Sequence, residues 1–131
     1  MPAEVMSRSD IRTEQFHAWI RPDGFEEIAW APGVTIDATV ARAAADAGRE
    51  VAGGQRRRLI IDMRTSGVMN REARAIFAGE EGWVHGVALL VQSPLSRVVA
   101  NFFLGVSNAG EVTRMFTSEA DAIAWLVTKA R

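Results

Sequence analysis

The spacing of apolar residues changes along the chain, and the changes mark its elements. Residues 15–20 alternate, with Phe16, Ala18 and Ile20 on one face and His17 and Trp19 on the other. That is the period of a half-buried strand. Arg21-Pro22-Asp23-Gly24 is turn chemistry. Phe25 to Trp30 then returns as a second strand, so the opening reads as a β-hairpin. After the break at Ala31-Pro32-Gly33, Ile36, Val40, Ala44, Ala47 and Val51 recur at three- and four-residue spacing. This predicts a helix over about 37–52, with Arg42, Asp46, Arg49 and Glu50 turned outward and Gly53-Gly54 ending it.

From there strand and helix alternate. Leu59 to Met63 and Val87 to Val91 are short, unbroken apolar runs, the pattern of strands buried on both faces. Ala73, Ile76 and Phe77 mark a helix between them. Ser93-Pro94 opens another, carrying Val98, Val99, Phe102, Phe103 and Val106. Val112 to Phe116 is the last strand. Ser118 caps the last helix, where Glu119 and Asp121 suit the positive end and Ile123, Trp125, Leu126 and Val127 form the apolar side. The predicted order is ββαβαβαβα, an α/β fold with a mixed, mostly parallel sheet and an antiparallel N-terminal hairpin. Residues 1–12 read as a flexible tail on a single domain spanning 1–131.

Composition narrows the chemistry. The chain has 131 residues, which suits one domain. Its 48% hydrophobic and 24% charged residues are ordinary for a globular protein. Fifteen basic residues face sixteen acidic ones, for a net charge of −1, so no overall positive field attracts a nucleic acid. The one basic run, Arg56-Arg57-Arg58, reads as the solvated entrance to a strand. The absence of cysteine excludes disulfides and thiolate sites. No apolar run approaches membrane-spanning length, and residues 1–15 lack the apolar core of a secretory signal. A cytoplasmic protein without integral membrane association is expected. His17 and His85 stand without a metal-ligand pattern, and no nucleophile elbow, P-loop or dinucleotide fingerprint occurs. Neither catalytic residues nor a cofactor is expected.

Three stretches carry a resemblance. Ile60 to Asn70, around Asp62, is similar to the strand and loop before the Asp-Ser-Ser-Gly turn of the STAS (SpoIIAA-like) family. Val87 to Val91 followed by Ser93-Pro94, Arg97, Phe103 and Gly105 is similar to that family's next strand and helix. Phe116 with Ser118 to Ala122 resembles its final strand and capped helix. The chain also resembles uncharacterised bacterial proteins described as STAS/SEC14-like. The resemblance spans roughly 15–128 and implies the single-domain SpoIIAA-like fold. In phosphorylated members the second serine of the turn accepts phosphate and so controls partner binding. Here Asn70 matches the Asp, Arg71 and Glu72 match the serines, and Ala73 matches the Gly. The acceptor hydroxyl is absent.

Two candidate sites follow. The first is an interaction turn of Thr65, Ser66, Asn70, Arg71 and Glu72. There Glu72 either mimics a phosphate or, more simply, stabilises a helix start that Asn70 caps. Thr65 and Ser66 are remaining hydroxyls in a Gly-containing loop expected to be flexible. The second is an interface or ligand groove of Trp19, Val99, Phe102, Phe103 and Val106, since segment 98–106 is apolar around most of its circumference. The expected function is a non-enzymatic interaction or regulatory module with a regulatory protein partner, and a homodimer is expected. The alternative is a module that binds a small apolar ligand or lipid.

Overall fold

The computed structural model describes residues 9–80, 82, 84–92 and 112–129. The sheet includes the hairpin of β2 (Phe16–Ile20) and β3 (Glu26–Trp30), paired antiparallel with Phe16 opposite Trp30. Gly24 takes the positive φ of 91° that the turn requires. The alternation of β2 separates its faces as expected, with Phe16 and Ala18 in the core. A further strand, β1 (Asp10–Arg12), pairs antiparallel with β2, so residues 10–12 are not tail. Thr13 makes the corner: its Oγ1 accepts from the N–H groups of Gln15 and Phe16, each at 3.1 Å. With Ile11 as the sole apolar residue, β1 is too short to show a period.

The chain continues through α1 (Ala38–Ala52), β4 (Arg57–Asp62), α2 (Arg71–Ala78), β5 (Val84–Leu90), β6 (Thr113–Phe116) and α3 (Glu119–Val127). The six strands lie in sequence order in one sheet, with β3 to β6 parallel. Successive parallel strands stepping one way, joined by right-handed crossovers, place their helices on one face. Accordingly α1 and α2 cover the same side, where Ala41, Ala44, Val51 and Ala73 meet Ile28, Leu59, Ile61, Val87 and Leu89. The small residues of α1 let its backbone lie close to the sheet. Helix α3 takes the opposite face, where Ala122 and Leu126 cover Phe25, Ile60, Ala88 and Leu90. The unbroken apolar runs of β4 and β5 follow from this, since both strands are covered on both sides.

Ser118 and Gly53 bound their helices where the sequence places them, and Asp37 is a further cap. Asp37 accepts from Val40 N at 2.9 Å, Ser118 accepts from Asp121 N at 3.2 Å, and Gly53 closes α1 at φ 65°. The arginine run differs in part from expectation. Arg56 donates to Val84 O at 2.8 Å, Arg57 to Ala52 O at 3.3 Å and Arg58 to Leu126 O at 3.4 Å. Arg58 also lies 4.7 Å from the centre of the Phe25 ring. The run therefore also fastens the start of β5 and the ends of α1 and α3, while Arg56 stays exposed to water as expected and Arg57 and Arg58 are half-buried. Their long stems let Arg57 and Arg58 extend β4 two residues before the apolar run. The segment beginning at Ser93 and Pro94, with Val99, Phe102, Phe103 and Val106, lies outside the described residues.

Candidate functional site: a tethered turn beside an ion-pair network

Strand β4 ends on Asp62, whose carboxylate takes a forked pair of bonds from Arg64. Nε reaches Oδ1 at 2.9 Å and Nη2 reaches Oδ2 at 2.8 Å, and the Arg64 N–H adds a third bond at 3.0 Å. Burial acts to raise the pKa of Asp62, but the hydrogen bonds and charge of Arg64 outweigh it and hold the pKa below the ordinary value. The chain then runs beside the segment before α1. Gly33 N donates to Thr65 O at 2.8 Å, Gly67 N to Val34 O at 2.8 Å, Ile36 N to Val68 O at 2.7 Å, and Asn70 N to Ile36 O at 3.1 Å. A side chain at Gly67 would place its Cβ 2.8 Å from the carbonyl oxygens of Gly33 and Val34. The expected flexible loop is instead a tethered turn, because two loops bond to each other through their backbones.

This tether sorts the candidate residues. Buried Ile36 and Met69 anchor it from below. Asn70 caps α2, its Oδ1 accepting from Ala73 N at 2.9 Å. Ser66 is half-buried and donates to Met63 O at 3.3 Å. Thr65, Arg71 and Glu72 are exposed, and between them Val68 is 69% exposed. Val68 escaped the sequence reading, although an apolar residue in a loop, outside any helix or strand period, was an available signal.

A second cluster lies on the α3 face of the sheet. Trp19 stacks on His17 with centroids 4.0 Å apart and planes 10° from parallel, and His17 Nε2 is 2.7 Å from Asp10 Oδ1. Trp19 is turned away from Phe16 as expected, but this stack leaves it only half-exposed. Beside it, Arg21 joins Glu27 at 2.8 Å, Asp23 at 2.9 Å and Glu119 at 3.1 Å, and Glu119 also faces Arg64 at 3.7 Å. Burial raises the pKa of Glu27, and the hydrogen bond and charge of Arg21 offset only part of that. The network ties the hairpin, the tethered turn and the start of α3 together. Sequence reasoning missed it because Arg21 and Glu119 are far apart along the chain.

A cavity between α1, α2 and the sheet, lined by Ile28, Ile61, Phe77, Val87 and Leu89, measures about 30 Å³. That is room for about one water molecule, against several hundred Å³ for a small-ligand pocket. On the same face Glu26 is fully buried, and neither carboxyl oxygen has a hydrogen-bond partner. Burial raises its pKa to about 8, against a smaller lowering by Arg57, so Glu26 is a neutral acid at pH 7. Among the described residues, no three His, Asp or Glu side chains could hold a metal ion, and no helix is long and apolar enough to cross a membrane.

No curated protein matches the chain. Among solved structures, an uncharacterised protein of the DUF3478 family from Shewanella loihica PV-4, with a SpoIIAA-like fold, is similar at a TM-score of 0.60. It is 13% identical, over 85% of this chain and 91% of that one. At that identity the likeness is one of fold, and it agrees with the α/β architecture expected from the sequence. A protein of unknown function from Arthrobacter sp. FB24 is 32% identical over 90% of this chain and 97% of that one, with a TM-score of 0.36. The family model described as "Domain of unknown function (DUF7793)" matches residues 18–129, and the chain belongs to that family.

Proposed function

We propose that this protein is a non-enzymatic interaction module, working in the manner of STAS proteins, that docks a regulatory protein through the turn at 65–72. The observation that carries this reading is the backbone tether, which holds exposed Val68 between Thr65 and the Arg71–Glu72 pair. A rigid turn loses little conformational entropy on binding, and an apolar centre with a charged rim is the usual anatomy of a small protein contact. With Arg71 and Glu72 in the first turn of α2, docking is not switched by phosphate at the usual serine. Glu72 suits the positive end of α2 and serves the helix rather than copying a phosphate.

The test is affinity capture from the native cell with wild type, a Val68→Asp/Arg71→Glu variant and a Glu72→Ser variant, quantified by mass spectrometry. The expected result is one protein captured in stoichiometric amount by wild type and Glu72→Ser alike, and lost with the double variant. Equal capture by the double variant would overturn the assignment of the turn. Loss with Glu72→Ser alone would revive the phosphate-mimic role.

A further inference from the structure

The outer edge of β1 has a definite hydrogen-bonding phase. Thr13 N–H donates to Phe16 O at 2.8 Å, and Ala31 N–H donates to Gln15 O at 2.8 Å on the other side of β2. Backbone groups in a strand alternate between its two neighbours. Phe16 and Ala18 therefore bond toward β1, and Ile11, opposite Ala18, bonds back. The N–H and C=O groups of Asp10 and Arg12 consequently point away from the sheet. Among the described residues β1 is the outermost strand on this side. Its side chains are sorted as well: Ile11 packs against the core on the helix α1 side, while Asp10 and Arg12 are exposed.

We infer that this edge pairs antiparallel with β1 of a second copy of the chain, about a two-fold axis at Ile11. Charge selects both the occupant and the register. Symmetric antiparallel pairing in the right hydrogen-bonding phase allows three alignments of so short a strand. Centring on Asp10 places two carboxylates together, and centring on Arg12 places two guanidinium groups together. Centring on Ile11 sets Asp10 opposite Arg12 of the other copy, twice. In that alignment the outward N–H and C=O groups of each Asp10 meet those of an Arg12, and the two Ile11 side chains adjoin on the core side. Opposite charges across a strand pair stabilise it and like charges oppose it. A strand with one charge of each sign, two residues apart, fits itself and is protected from most other strands. The paired segment is short, so the association is weak and depends on concentration.

Sedimentation of the full chain over a concentration series tests this. Wild type is expected to dimerise, while Asp10→Arg and Arg12→Asp each associate about tenfold more weakly or less, because each turns both cross-strand pairs into like charges. Mixing the two variants is expected to restore a one-to-one heterodimer, and the Asp10→Arg/Arg12→Asp double variant is expected to restore the homodimer. This rescue separates pairing from damage to β1, since Asp10 also meets His17. A wild type that stays monomeric at about 1 mM, the weak limit of specific association, would overturn the inference. So would dimers that persist in both single variants, mixtures that do not recombine, or an edge that takes up only an extended peptide of another protein.

Discussion

Glu26 shows how one side chain can set the response of this fold to pH. An unfolded chain releases the Glu26 proton near the ordinary value of 4.5, whereas the folded chain keeps it to about 8. Between these values the native state holds a proton that the unfolded state lacks, so this group makes stability fall as pH rises. The slope is about 1.4 kcal/mol per pH unit, flattening above the folded value. Glu26→Gln removes the titration, so the difference in unfolding free energy between variant and wild type should grow in the variant's favour from pH 5 to pH 8. Denaturant titrations at several pH values would check it, and a constant difference would mean that Glu26 is ionised in the core. The sequence shows Glu26 only as one of two adjacent acids in a strand. Which of them is buried without a partner and which meets Arg21 depends on the face each side chain takes.

Among the elements, the turn between β4 and α2 was legible in outline. Asn70, Glu72 and the Ala73/Ile76/Phe77 face announced a helix start, because capping is local chemistry that a short stretch of sequence contains. The rigidity of the turn was not legible, since its partner is the loop around Gly33 to Ile36, some thirty residues earlier. Gly67→Ala should test that rigidity. With carbonyl oxygens 2.8 Å from the new Cβ, the two loops must separate, at a cost of about 1–3 kcal/mol. Amide hydrogen exchange at Ile36 and Asn70 should quicken in the variant. Unchanged exchange would mean that the two loops yield without breaking their bonds.

Across the whole molecule, the ion pairs around Arg21 join parts that the sheet alone does not. Arg21 and Glu27 are mostly shielded from water, with side chains 13% and 10% exposed, so screening is limited for this pair. Arg21→Met leaves Glu27 buried beside no guanidinium and should destabilise the fold by roughly 3 kcal/mol, the low end for a broken buried pair. Adding Glu27→Leu should recover most of that loss. A double-mutant cycle by thermal unfolding measures the coupling, and a cycle near zero would assign the loss to packing of the arginine stem.

The sequence by itself determined the order of the described elements from the hairpin onward, the helix caps and the burial of β4 and β5. Each of these rests on periodicity or capping within a few residues, where backbone geometry ties sequence directly to structure. Only the tertiary structure decided the third antiparallel strand at 10–12, the tasks of Arg56, Arg57 and Arg58, the tether on the turn and the pairing of Arg21 with Glu119. Strand β1 is too short to show a period, and most of the other contacts join residues far apart along the chain, whose partners appear only once the sheet has brought distant segments together.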